Sequence, residues 1–191
     1  MKWNRSVLTT SLLGLMLPLT CQSASTPTEI NVDFTATVTE TTCAFIIDTT
    51  PGYVKEDTEG SHYTLTIPNV GLDKIISKDA TAQKDFTIKA KGCSNGVGSI
   101  TTKISGSKVD GNLIKNGLTS TGAATNICMG FKRQTESGEN FVKPDNAATI
   151  TWSSNEITNG LPMTVALREG SGSGTTAGDF DATATFNFTY N

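Results

Sequence analysis

Three observations predict an all-β chain. Segments in which apolar and polar residues alternate recur along the length, the period that places every second side chain on one face of a strand. Clusters of Gly, Asn, Asp, Ser and Pro punctuate them as turns. No stretch sustains the three-and-four apolar spacing of a long helix. About seven short strands separated by such turns indicate an antiparallel β-sandwich of immunoglobulin-like type.

Taken in order, the chain opens on a leader. Lys2 and Arg5 give a positive start, residues 7–19 an apolar run, and Cys21-Gln22-Ser23-Ala24 a small-residue exit. That is a secretory signal peptide over residues 1–24, cut after Ser23 or Ala24. A lipoprotein acylated at Cys21 ranks second, because Pro18 and Thr20 flank that cysteine poorly. Residues 30–38 then alternate strictly. Ile30, Val32, Phe34, Ala36 and Val38 lie on one face, and Asn31, Asp33, Thr35 and Thr37 on the other. Residues 44–47 continue apolar after Cys43, and 48–52 break into a turn. Residues 63–71 read as a short strand that Pro68 assigns to an edge. Residues 72–85 read as a connection with one helical turn. Strands follow at 86–93, 100–104, 112–118, 126–132, 149–152 and 162–168, the last entered by Pro162. A Gly/Ser loop at 170–174 leads to the closing strand, 181–191, with Ala182, Ala184, Phe186, Phe188 and Tyr190 on one face. Because that strand runs to residue 191, no further segment is left to cover its edge, which a sandwich ordinarily requires.

Export makes disulfides the expected state of the cysteines. With Cys21 in the leader, Cys43, Cys93 and Cys128 remain, so one is left over. Cys43 and Cys93 stand at strand ends that a bridge could staple, for about 4 kcal/mol in the chain-entropy model. A Cys43–Cys128 bridge is the alternative. Ile127, Met129 and Phe131 share a face, so Cys128 points the other way and is expected to be a free, inert thiol.

Several function classes lack their residues. The net charge of −3 gives no footprint for nucleic acid. His62 is the one histidine, in a polar loop that suits a surface position, and no Gly-x-Ser-x-Gly elbow exists. Asp179 with Asp181, and Asp145 with Asn146, are too sparse for a metal. Residues 170–174 lack the Lys-Ser/Thr ending of a phosphate loop. Trp152 alternates with Ile150 and reads as core rather than as a sugar-stacking platform. No enzyme, cofactor or small-molecule substrate is expected.

Four pieces, in this order and behind a signal peptide, resemble the pilin subunits of bacterial chaperone–usher fimbriae of the type 1 kind. They are Val32-x-Phe34-x-Ala36-x-Val38-x4-Cys43, Phe86-x-Ile88-x-Ala90-x-x-Cys93, Ala124-Thr125-Asn126-Ile127, and Ala182-x-Ala184-x-Phe186-x-Phe188-x-Tyr190-Asn191. Ala36 departs from a common glycine, and Cys128 is additional to the usual pair. The resemblance implies an incomplete immunoglobulin-like sandwich that lacks its final strand, at 39–191, preceded by a donor-strand extension at 25–38. It implies a structural subunit of a surface fimbria that supports adhesion, polymerising head-to-tail by donor-strand complementation and exchange. The implied partners are a periplasmic chaperone, an outer-membrane usher and neighbouring pilin subunits, along a route through the periplasm to the cell surface. On this reading Ile30, Val32, Phe34, Ala36 and Val38 are the donor side chains. Phe186, Phe188 and Tyr190 line the acceptor groove, Asn191 supplies the carboxylate that a chaperone holds, and Cys43 bridges Cys93. A single-domain adhesive or adaptor subunit that binds a host ligand is the alternative.

Overall fold

The computed structural model of the chain describes residues 43–57, 62–93 and 96–191. The leader and the alternating segment 30–38 lie outside those residues. Two sheets and a small hairpin make up the described part. Strands β1 (Ala44–Ile47), β4 (Gln83–Lys91), β6 (Val109–Asp110), β7 (Leu113–Lys115), β8 (Ile127–Arg133) and β10 (Leu161–Glu169) form the larger sheet, in the order β1-β4-β10-β8-β7-β6. Strands β5 (Ile100–Gly106), β9 (Asp145–Thr151) and β11 (Ala184–Tyr190) form the smaller one, in the order β11-β5-β9. Strands β2 (Val54–Glu56) and β3 (Tyr63–Leu65) pair as a hairpin. All the strand pairings are antiparallel. Two short helices, α1 (Leu72–Ile76) and α2 (Ser154–Asn159), and a 3-10 turn at Ala80–Ala82 complete the list.

One core joins the sheets. Phe86 and Ile88 of β4, Phe131 of β8 and Leu161, Met163 and Val165 of β10 pack with Ile100 and Ile104 of β5, Ile150 of β9 and Trp152. Alternation puts these residues on the inner faces, as in a sandwich. The one polar pair in this layer is satisfied, because Trp152 Nε1 donates to Thr102 Oγ1 at 2.8 Å. The sequence-predicted core position of Trp152 is therefore occupied, with 4% of the residue exposed.

The outer face of β10 is covered too. Thr164 Oγ1 donates to Asp85 Oδ1 at 2.5 Å. Arg168, 4% exposed, grips Glu139 with Nε–Oε2 at 2.6 Å and Nη2–Oε1 at 3.0 Å, and its guanidinium lies 5.7 Å from the Phe141 ring centre. A two-pronged grip and an aromatic face make burial of that charge tolerable. The segment carrying Glu139 and Phe141 approaches so closely that a Cβ at Gly130 would meet Leu113 at 2.5 Å and Phe141 at 2.7 Å, which reserves the position for glycine.

The strands predicted at 86–93, 100–104, 112–118, 126–132, 149–152, 162–168 and 181–191 all form, with shifted ends. The predicted strand at 63–71 shortens to three residues, since its partner β2 has only three. The connection 72–85 holds the expected helical turn, then gives its last three residues to β4. Strand β9 starts four residues earlier than the alternation suggested, at Asp145, whose carboxylate takes the Ala147 and Ala148 amides and orders a turn-like sequence. Helix α2 has a capping box. The Ser153 hydroxyl accepts from the Glu156 amide, and the Glu156 carboxylate accepts from the Ser153 amide.

Candidate functional site

Two edge strands, one from each sheet, meet at one side of the sandwich. Strand β11 pairs with β5 from Ala184↔Gly106 to Tyr190↔Ile100, and with no other described strand. Strand β1 pairs only with β4. Each therefore keeps one edge without a partner among the described strands, and an edge carries backbone N–H and C=O groups that seek a ladder.

Period-two alternation decides what β11 presents. Thr185, Asn187 and Thr189 are exposed, while Ala184, Phe186, Phe188 and Tyr190 turn inward and are only half-buried. Its neighbour β5 buries Ile100, Thr102 and Ile104 completely. The aromatic rings of β11 bridge to the other sheet. Phe186 meets Phe131 and Phe86 edge-on, with ring centres 5.2 and 6.2 Å apart. Phe188 stacks flat on Phe45 of β1, with centres 3.9 Å apart and planes 3° from parallel, and meets Trp152 edge-on. Tyr190 lies 6.0 Å from the Phe45 ring. Such contacts add about 0.5–1.5 kcal/mol each beyond area burial. At the far end, the Asn191 carbonyl oxygen accepts the Gly98 and Ser99 amides at 2.7 and 3.2 Å, and its own amide donates to Ser99.

The structure thus brings Phe186, Phe188, Tyr190 and Asn191 together along one edge. Ile30, Val32, Phe34, Ala36 and Val38 lie outside the described residues. Sequence reasoning passed over Phe45, which stacks on Phe188. Its signal was the apolar run at 44–47 immediately after a cysteine.

Cys43 is bonded to Cys93, with Cα atoms 4.2 Å apart, and the bond ties the start of β1 to the end of β4. Beyond the other end of β1, Lys89 Nζ reaches Asp48 Oδ2 at 2.6 Å, and that ion pair, helped by the Thr50 hydroxyl and amide, holds the Asp48 carboxyl well below the usual range. Cys128 is a buried free thiol. Burial, and secondarily the Asp110 charge, push it up to about 11, which makes it a poor nucleophile. His62 Nδ1 faces Asp57 Oδ2 at 3.2 Å on the surface. Among the described residues, no three His, Cys, Asp or Glu side chains converge as metal ligands would.

Residues 32–191 match the family model described as Fimbrial protein. Over 168 residues the chain is 44% identical to the uncharacterized fimbrial-like protein YadM of Escherichia coli (strain K12), an alignment that covers 85% of this chain and 87% of that one. The crystal structure of the P pilus rod subunit PapA is similar with a TM-score of 0.53 at 18% identity, over 84% of this chain and 100% of that one. A structure of a chaperone–usher pilus, solved to explain rod uncoiling, gives 0.51 at 16% identity, over 85% and 96%. At these identities the two structures speak to the fold, which is the immunoglobulin-like fold of pilin subunits.

Proposed function

The chain belongs to the fimbrial protein family, and on that premise we propose that it is a structural subunit of a surface fimbria that polymerises head-to-tail by donor-strand exchange and so supports adhesion. One observation carries the reading. The inner face of β11 is aromatic and only half-buried, and its outer edge has no partner among the described strands. A strand laid against that edge would satisfy backbone groups and cover the rings together, which is β-augmentation.

Residues 30–38 have the pattern such a strand needs. Ile30, Val32, Phe34, Ala36 and Val38 would descend towards Phe186, Phe188 and Tyr190 of another copy, and Asn31, Asp33, Thr35 and Thr37 would face water. Burying these apolar side chains at about 1.5–3 kcal/mol for each large one makes a durable joint. A donor at one end and an acceptor along another edge form a heterologous contact, which propagates as a filament instead of closing.

The division into signal peptide 1–24, extension 25–38 and pilin domain 39–191 belongs to this reading. So do the partners. A periplasmic chaperone would shield β11 until the outer-membrane usher delivers the next subunit, and its basic residues would hold the Asn191 carboxylate. The amides of Gly98 and Ser99 already fix that residue in place.

The test is Phe34→Asp. A buried carboxylate in the joint should abolish fibres seen by electron microscopy, while the variant still co-purifies with its chaperone. Fibres of normal length from that variant would overturn the donor assignment.

A further inference from the structure

Asn-Gly pairs occur at 95–96, 116–117 and 159–160. A glycine after asparagine leaves the backbone free to bring its own amide nitrogen against the asparagine side chain. That nitrogen loses its proton and attacks Cγ, the new N–Cγ bond closes a succinimide ring, and Nδ2 leaves as ammonia. Water then opens the ring at either carbonyl, giving aspartate or isoaspartate. The fold decides whether such a pair reacts. The pair at 95–96 begins outside the described residues.

At Asn116 the reacting atoms are all held. Nδ2 donates to the Ala124 and Asp179 carbonyls at 3.0 and 2.8 Å. Oδ1 accepts the Leu118 and Asp181 amides, both at 3.1 Å. The Gly117 nitrogen, which would have to swing towards Cγ, donates instead to the Asp181 carbonyl at 2.6 Å. The side-chain amide is thus saturated, and its attacker is kept from near-attack geometry. Three of these five bonds end on Asp179 or Asp181, in the segment that enters β11. That segment is packed at backbone distance, since a Cβ at Gly178 would meet the Ala124 nitrogen at 2.6 Å and the Ala123 carbonyl carbon at 2.7 Å. It leads into a strand with no buried residue, which places it among the parts of a fold that open first. When it lifts, Gly117 is released while the Leu118 amide can stay on Oδ1, where a donor favours attack at Cγ.

We propose that Asn116–Gly117 is a latent deamidation site that residues 179–181 keep shut, and that the reaction marks chains in which this segment has come away. The mark is permanent. An aspartate at 116 has no proton to give the Ala124 and Asp179 carbonyls, so acceptor faces acceptor and the segment cannot reclose as before. Isoaspartate also lengthens the backbone by a carbon. The pair at 159–160 is an internal comparison. Gly160 donates to the Glu156 carbonyl at 2.8 Å and Asn159 Nδ2 to Asn155 Oδ1 at 2.7 Å, and both acceptors lie in α2. The proposal does not rest on strand exchange, because the chemistry needs only this chain and water.

Peptide mapping by mass spectrometry of the purified full chain, incubated at mildly alkaline pH with and without urea, tests this. In full denaturant Asn116 should convert to aspartate and isoaspartate, and Gly117→Ala should slow that conversion. In the folded chain conversion at Asn116 should be slower by about tenfold or more. Gly178→Ala, which pushes the segment outward, should speed it severalfold in a chain that circular dichroism shows to be folded, with the rate at Asn159 unchanged. Urea below the unfolding transition gives the same readout without a substitution: Asn116 should convert faster while β10 amides stay protected from exchange. Equal rates at Asn116 in folded and unfolded chains would overturn the proposal. So would acceleration that waits for global unfolding, or a folded Gly178→Ala chain in which Asn116 reacts no faster or Asn159 accelerates equally.

Discussion

Strands β10 and β11 follow one another in the chain and are built to opposite specifications. Strand β10 has hydrogen-bonded neighbours on both sides and buried residues on both faces, from Leu161 in the core to Arg168 on the outer side. Strand β11 has one neighbour among the described strands, and none of its residues is buried. Their sequences differ accordingly. Residues 161–167 of β10 are apolar except for Thr164, as a strand covered on both faces requires. Strand β11 alternates strictly and uses Phe186, Phe188 and Tyr190, rings large enough to reach the opposite sheet from an edge position. Apolar residues thus run on where a strand is covered on both faces and alternate where only one face is covered.

The largest expected effect on that contrast comes from the disulfide. Replacing Cys43 and Cys93 together by Ser opens a loop of 50 residues, worth about 4 kcal/mol in the chain-entropy model. Urea unfolding should report the loss. Hydrogen exchange should show β1 amides losing protection before those of β10, and equal loss in both strands would break the distinction between edge and centre.

Side-chain truncation comes next. Leu161→Ala removes a residue that is 0% exposed and should cost about 2–5 kcal/mol. Phe188→Ala removes a larger ring that is only half-buried, and about 1–3 kcal/mol is expected in the unassembled chain, below the range for a fully buried ring. If Phe188→Ala proves the more costly in denaturant titrations, β11 is core in its own subunit and the contrast fails.

Acid gives the smallest effect. Asp145, at the start of edge strand β9, is held down to about 2 by the Ala147 amide first and then by Lys143. Asp48, just past β1, is held low chiefly by Lys89. A carboxyl depressed in the folded state stabilises above its unfolded value, and that stability is lost as pH falls from about 4 towards about 2. Amide exchange followed through that window should rise at β1 and β9 while β10 stays protected. Simultaneous loss in all three would show that the edges have no independent acid response.

Much of this architecture was legible because alternation is a local property. The strands at 86–93, 100–104 and 126–132 announced themselves through Phe86, Ile88 and Ala90, through Ile100 and Ile104, and through Ile127, Met129 and Phe131. The same alternation placed Cys128 on the side away from Met129 and Phe131, where the structure pairs it across the strands with Lys115 and Arg168. Pairing and coverage were not legible. Strand β6 has two residues and β2 three, too few for a period to register. Helix α2 did carry its signal, Ser153 three residues before Glu156, but six residues are too short for an apolar face to confirm it. The grip of Glu139 on Arg168 joins residues 29 apart through a loop with no repeat. At the candidate site, the aromatic face of β11 could be read from Phe186, Phe188 and Tyr190. The stack with Phe45 could not, because it depends on how two sheets are superposed.

The Cys43–Cys93 bond also has a mechanical consequence. A pull on the chain from outside this loop is carried across the bond, so the stretch between its ends, a sequence separation of 50, adds nothing to the length the subunit can pay out. Fully extended it would span about 170 Å, and that contour stays hidden while the bond is intact. A strained subunit could lengthen only through residues outside that loop, and those beyond Cys93 include β5, β10 and β11.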